Sequence, residues 1–300
     1  MSGPLFGVVP NFSEGRRRDV IDAIVAALDV PGARVVFAEA DPDHNRLDTT
    51  VLGGADALRA SAMAGARIAV ATIDMRSHRG GHPRMGAADV IPFMPVRDAS
   101  MADAVRLARS FGADLARDLD LPVYLYDRAA LLPDRASLAD VRRGGYEGLR
   151  EAVVRGERLP DLGPHAIGPA GATAVGARVP LVAFNLYLSG TDDAPAKEIA
   201  RAIRGSSGGL PALRAIGFAV PERGCVTVSM NLVDHEVTGL VTAFDAVAAG
   251  ASARRLDVLD SEIVGLVPAA ALGEGVAAHV RLAGFDPDAQ ILERLIEEGT

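Results

Sequence analysis

Two stretches of this chain run through the same order of strand and helix patterns, and that order leaves few topologies open. The first begins with an apolar strand at Leu5–Pro10 and the loop NFSEG. A helix follows over Arg16–Leu28, where Val20, Ile21, Ile24, Val25 and Leu28 recur at helical spacing. Strands at Ala33–Glu39 and Leu47–Gly53 flank the polar turn DPDHNR, a helix runs from Asp56 to about Ala71, and a strand spans Val90–Val96. Pro92 and Pro95 mark that last strand as an edge or a bent one, because proline donates nothing to a ladder. The second stretch has a strand at Leu181–Leu188, a helix at Ala194–Arg204, and strands at Leu213–Val220 and Cys225–Leu232 around the turn PERG. A helix at Leu240–Ala251 and a strand at Ser261–Pro268 complete it. Each stretch reads β-α-β-β-α-β, the split ferredoxin-like unit. The expected class is α+β, with two ferredoxin-like α/β sandwich subdomains, 1–178 and 179–300, flanking a cleft. Asn11 and Asn185 each stand late in a first strand before a glycine-containing loop. That echo suggests duplication, although the pattern is common enough to arise without one.

Between the two stretches lie a helix at Met101–Leu119 capped by Ser100, a strand in PVYLYD, and the segment SLADVRRGGYEGLREAVV. Ser137 and Asp140 there fit a loose capping box. The run PDLGPHAIGPAGATAVGAR then places five glycines or prolines between Gly163 and Gly171, which excludes regular structure. Two readings stay open for it: a hinge, or a loop whose bare backbone approaches a flat ligand.

Charge and rare residues exclude several chemistries. A net charge of −8 argues against a sequence-independent nucleic-acid binder. Lys197 is the only lysine and sits in a helical pattern, so a Schiff base or a phosphate-loop lysine has one poor candidate. The single cysteine, Cys225, lies in an alternating strand pattern and reads as a packed small hydrophobe. It also rules out an internal disulfide framework, which fits a reducing cytoplasm. No basic N-terminal leader and no apolar run of membrane-spanning length is visible.

The run HRGGHPRMGAADVIPF, from His78 to Phe93, concentrates the chemistry. Histidines at i and i+4 suggest a metal, but the residues between them are Arg79, Gly80 and Gly81, which break a helix, and no carboxylate supports them. No metal is expected. Imidazole is the natural proton carrier near neutrality. Gly80, Gly81 and Gly86 let backbone approach a ligand, and Arg84 can fork onto a carboxylate. Between Met75 and Arg97 four arginines face one acid, Asp89, a basic patch on an acidic protein. Arg16–Arg18 extend that patch at a helix N-terminus, where a nearby anion would relieve the opposed dipole. A solvated basic loop is the plainer alternative.

VPNFSEGRRRDVIDAI, DPDHNR, IDMRSHRGGHPRMGAADVIPFMPV, PVYLYD, YEGLRE, GATAVGAR, AFNLYL, SMNL and SEIVGLVP resemble, in order, the glutamate formimidoyltransferase (formiminotransferase) family over roughly residues 5–270. The resemblance implies two ferredoxin-like formiminotransferase subdomains, usually in a homodimer, without a fused cyclodeaminase domain. It implies transfer of the formimino group from N-formimidoyl-L-glutamate to the co-substrate tetrahydrofolate in histidine degradation, in the cytoplasm, with no membrane or nucleic-acid partner. The family's catalytic histidine falls on His82. Its folate stretch falls on Gly163, Pro164, His165, Ala166, Ile167, Gly168, Pro169, Ala170 and Gly171, which favours the ligand-loop reading.

On that reading His82 takes a proton from the attacking folate nitrogen and returns it to the departing glutamate nitrogen. Arg46 and Arg84 would hold glutamate carboxylates or a folate tail, Asn11 would line the site, and Glu39 or Asp41 would orient an imidazole or stabilise the cationic amidinium. His44 and His78 are further candidates for proton handling, and His235 and His279 read as structural. The family commonly has Glu immediately before the catalytic histidine, where this chain has Gly81. It also has a larger apolar or aromatic segment in place of LDTT. Rival readings are a non-catalytic folate- or anion-binding module, a formylglutamate-specific formyltransferase, and a metal-dependent hydrolase using His78 and His82.

Overall fold

A computed structural model describes residues 3–295. Chain contacts divide it into two compact units on either side of the Arg178–Val179 bond.

In the first unit, β1 (Leu5–Val8), β2 (Asn11–Phe12), α1 (Arg18–Leu28), β3 (Ala33–Asp41), β4 (Arg46–Gly53), α2 (Ala55–Thr72) and β5 (Ala88–Arg97) follow one another. The interrupted first strand β1/β2 lies between β4 and β5, and β3 pairs with β4 outside it. This is the ferredoxin-like order, with helices covering one face. α1 turns Val20, Ile21, Ile24 and Leu28 inward. α2 approaches it closely through small residues: a Cβ on Gly65 would stand 2.7 Å from Leu28 Cδ2.

Two strands continue the sheet beyond β5. After α3 (Met101–Leu119) comes β6 (Val123–Asp127), then α4 (Leu138–Val141), α5 (Gly145–Val154) and β7 (Thr173–Ala177). β7 pairs in parallel with β5 on one side and β6 on the other. β5 is therefore an interior strand, which corrects the edge-strand expectation. The sheet accommodates both prolines. Pro92 lies where β1 gives way to β2, and there its carbonyl accepts from Val9 N–H at 3.0 Å. Pro95 lies past Phe93, which is opposite Ala177 at the end of β7, so no ladder donor is missed on that side. The strand β7 lies within the glycine-rich run, where the sequence marks no strand. α3 carries a full capping box between Ser100 and Asp103. Ser137 makes no such side-chain bond to α4. Phe93 and Phe111 meet edge-to-face at 5.2 Å in the core, an arrangement worth about 0.5–1.5 kcal/mol beyond area burial.

The second unit contains β8 (Val182–Leu188), α6 (Ala194–Ile203), β9 (Leu213–Val220), β10 (Cys225–Leu232), α7 (Leu240–Ser252) and β11 (Val258–Val264). Its strands run β11-β8-β10-β9, all antiparallel. The expected β9–β10 hairpin is present, turned by Gly224 at φ +60°. β11 begins and ends earlier than expected, because Gly265 at φ +71° bends the chain out of the sheet. Cys225 is buried, which raises its thiol pKa.

Both units share one register feature. Asn11, in the first strand of its unit, stands between Asp48 on β4 and Val90 on β5. Asn185 stands between Ser229 on β10 and Glu262 on β11. The two asparagines thus occupy equivalent positions, between the third and fourth strands of a ferredoxin-like sheet.

Candidate active site

Four segments of the first unit converge on the run after α2. The first is the turn between β3 and β4. Asn45, at φ +51°, accepts from Gly15 N–H through Oδ1 at 2.8 Å, and its Nδ2 donates to the Arg79 carbonyl at 2.9 Å. The fit leaves no room for side chains: a Cβ on Gly15 would stand 2.1 Å from the Asp41 carbonyl, and one on Gly80 would stand 2.2 Å from that of His44. The second is the loop 163–171. Met75 N–H donates to Pro169 O at 2.8 Å, Ala87 N–H to Ala170 O at 2.8 Å, and Ala172 N–H to Met85 O at 3.0 Å. Gly86 and Gly171 meet backbone to backbone.

The third segment is the NFSEG loop, where Ser13 donates to the Gly86 carbonyl at 2.7 Å. The fourth is α4–α5, where Tyr146 N–H donates to the Arg84 carbonyl at 2.9 Å. The glycine-rich loop thus sits inside the first unit, ahead of β7, and not at the boundary, so the hinge reading gives way. His165 is exposed and Ile167 buried, while the Gly168 carbonyl accepts from the Tyr146 hydroxyl at 3.2 Å.

The histidines differ in what they can do. Arg84 Nε can only donate, and it points at His78 Nδ1 at 3.3 Å. His78 therefore carries its hydrogen on Nε2, which donates to the Asn45 carbonyl at 3.2 Å. Burial, with the Arg84 charge, lowers its pKa. Both nitrogens are engaged, so His78 is a neutral structural ring with no lone pair free for a metal or a proton. Among the described residues no group of three His, Cys, Asp or Glu side chains is arranged to hold a metal ion.

His82 is half-buried, and its Nδ1 lies 2.7 Å from the Pro83 carbonyl. A carbonyl only accepts, so Nδ1 carries the hydrogen and Nε2 keeps its lone pair. Burial lowers the His82 pKa first, and the charges of Arg46 and Arg142 lower it further. The ring is neutral near pH 7 and competent as a base. His44 stands edge-on to it, 6.1 Å between centroids. The Nδ1 of His44 meets Asp41 Oδ2 at 2.5 Å. Of the two acids considered for orienting an imidazole, Asp41 makes the contact. Glu39 is exposed on β3, opposite Asp48.

The arginines are committed within the protein. Arg46 is buried; Nη1 donates to Asp89 at 2.8 Å and Nη2 to Asn11 Oδ1 at 2.7 Å. Asp89 is fully buried and also accepts from Arg142 Nη2 and, at 2.6 Å, from Met85 N–H. Burial opposes its ionisation, but Arg142, Arg46 and the amide outweigh that and hold its carboxyl below the usual range. Arg46 therefore has no fork free for a substrate carboxylate, which corrects that expectation, and Asn11 is its partner. Arg84 forks onto Glu147 through two 2.8 Å bonds, and this pairing holds the Glu147 carboxyl down at about 2.

The basic patch is smaller than residue counting implies. Arg76 pairs with Asp74, one residue outside the counted window, and Arg84 pairs with Glu147. The anion expected near Arg16–Arg18 is Glu14, which accepts the Arg16 and Arg17 amides at 2.9 Å each. Sequence reasoning passed over Arg142, Glu147 and Glu14; the string RRGGYEG carried the first two, with no periodic signal to expose them.

Residues 5–178 match the formiminotransferase domain, N-terminal subdomain, and 183–296 match the formiminotransferase domain. The chain belongs to the formiminotransferase family. It is 42% identical over 293 residues to a glutamate formimidoyltransferase of Thermoplasma acidophilum, covering 97% of this chain and 96% of that one. It is 39% identical to the Streptococcus pyogenes glutamate formimidoyltransferase, covering 95% and 96%. It is 39% identical to the rat formimidoyltransferase-cyclodeaminase, covering 97% of this chain and 59% of that protein. Within this family the convergence of the His82 run and the 163–171 loop joins the two stretches that the resemblance singles out. No helix among the described residues is long and apolar enough to cross a membrane.

Proposed function

We propose that this chain is a glutamate formimidoyltransferase that moves the formimino group from N-formimidoyl-L-glutamate to N5 of tetrahydrofolate, with His82 as general base. The observation that carries the reading is the state of His82: Nδ1–H bound to the Pro83 carbonyl, Nε2 unbonded among the described residues, and a pKa lowered by burial and by Arg46 and Arg142. A base must be unprotonated before it can accept N5–H, and this ring is. The lone pair of N5 forms the new bond to the formimino carbon, the C=N π pair of the amidinium moves onto its nitrogen to give a tetrahedral adduct, and His82 Nε2 takes the N5 proton. The bond to the glutamate nitrogen then breaks, and that nitrogen needs a proton to leave as an amine. In the simplest sequence His82 returns it.

The stretch 163–171 would take the pterin against its backbone at Gly168, which is exposed and has open space where a side chain would stand. Holding both substrates in one site would lower the barrier by several kcal/mol through positioning alone. A role in histidine degradation, a cytoplasmic location and a homodimer belong to the same reading.

Steady-state assays test it. Glutamate release from N-formimidoylglutamate should require tetrahydrofolate and exceed release from N-formylglutamate. Faster turnover of the formyl donor would make the chain a formyltransferase. Folate binding without turnover of either donor would make it a binding module.

A further inference from the structure

Beside His82 stands a second imidazole with its own carboxylate. We propose that His44, held by Asp41, is the general acid that protonates the departing glutamate nitrogen. This rests on the formimidoyl-transfer reading and assigns a step that reading leaves to His82.

Asp41 is built to orient a ring. Its Oδ1 accepts the amides of Asp43 and His44 at 2.8 and 2.9 Å, which fixes the carboxylate on its own turn. Its Oδ2 then takes His44 Nδ1 at 2.5 Å. The hydrogen of the ring is thereby kept on Nδ1, and Nε2 is the atom left for chemistry, as in carboxylate-oriented catalytic histidines. His44 is exposed, so Nε2 is accessible, and no described residue bonds it.

The turn is anchored from both sides by Asn45, to Gly15 and to Arg79, so His44 is presented on a fixed frame. Gly81 leaves space for this placement. A Cβ there would already touch His44 Cδ2 at 3.5 Å, and a longer side chain would compete for the ring's position beside His82. The two rings lie 6.1 Å apart, a separation that suits two groups acting on the two nitrogens of one formamidine carbon.

The step balances without a further reactant. The step needs His82 neutral and His44 carrying a hydrogen on Nε2 as well as the Nδ1–H held by Asp41. His82 Nε2 gains the N5 proton while N5 bonds to the carbon, the amidinium C=N π pair moving onto its nitrogen and returning to re-form the double bond as the glutamate nitrogen leaves. As the bond to the glutamate nitrogen breaks, its electron pair stays on that nitrogen, which takes the proton from His44 Nε2. His82 ends charged and His44 neutral, and exchange with water restores both. The charged and titratable groups facing His44 are Asp41 and Asp43 on its own turn, Arg16, which bonds the Pro42 carbonyl, and His82 from the segment opposite.

The test separates an acid from a structural ring by varying the leaving group. 4-Nitrophenyl formimidate, an aryl donor, releases 4-nitrophenoxide, a stabilised anion that departs without protonation. His44→Gln should lower kcat on N-formimidoylglutamate about 10²-fold or more with little change in KM, and should leave the aryl donor within a few-fold of wild type. His82→Gln should lower both. Independently, Asp41→Asn should lower the rate on N-formimidoylglutamate with an unchanged melting temperature. Full activity of His44→Gln on N-formimidoylglutamate, or equal loss on both donors, overturns the assignment. Absence of wild-type turnover of N-formimidoylglutamate overturns the underlying transferase reading instead.

Discussion

Asp89, fully buried on β5, takes one oxygen contact from the Arg46 guanidinium at 2.8 Å while Arg142 donates to the same oxygen. One carboxylate thus pairs with two cations beside His82, and the surplus positive charge is what bears on that ring. Asp89→Asn keeps the volume and removes the charge. It should cost about 3–5 kcal/mol, the scale for a broken buried ion pair, read as a lower urea midpoint. The wild-type carboxyl is held below its usual value, so its contribution is present above pH ~3.9 and lost as pH falls through the folded value. The variant should lack that part of the acid-side loss.

His78 and His82 both have lowered pKa values, burial being the first cause in each. As pH falls below ~6.5, the unfolded chain takes up protons that the folded rings refuse. Stability should therefore be flat above ~6.5 and decline below it toward the depressed folded values. Urea titrations between pH 5 and 8 read this directly, and His78→Gln should make the decline shallower. A stability that rises on acidification in this range would contradict the neutral, hydrogen-bonded state assigned to His78.

His82→Ala should leave folding intact, because the ring is half-buried and makes one bond to its own neighbour. Transfer should fall by about 10²–10⁴, the range for a lost general base. In the wild type, kcat/KM should rise with pH through an apparent value below ~6.5 and level off by neutrality, because the base must shed its proton first. A plateau reached only well above pH 7 would exclude His82 as that base.

The loop 163–171 permits a graded test. A Cβ on Gly86 would stand 2.1 Å from the Ala172 carbonyl, and one on Gly171, at φ +76°, would stand 2.2 Å from that of Met85. Either alanine variant should destabilise the first unit by about 1–3 kcal/mol through backbone displacement. Gly168 has open space around it, so Gly168→Ala should leave the melting temperature within error. Calorimetry with tetrahydrofolate should show weaker binding to Gly168→Ala if the pterin lies on this backbone, and unchanged affinity if it does not.

Periodicity by itself determined most of the elements of this chain and their order, β7 excepted. Amphipathic spacing located α1, α2 and α3, alternation located β9 and β10 to the residue, and the repeated order pointed to two ferredoxin-like sheets, because those signals depend only on neighbouring residues. Motif resemblance singled out His82 and the loop 163–171. The tertiary structure decided what the sequence left open. It put β5 inside the sheet, since β7 emerges from a glycine-rich run whose strand character comes only from pairing between β5 and β6. It committed Arg46 to Asp89 and paired Arg84 with Glu147, and it gave Asp41 rather than Glu39 to an imidazole. Charges pair through space, between residues 43 and 63 positions apart in those two ion pairs, and no local pattern records which partner a side chain will meet.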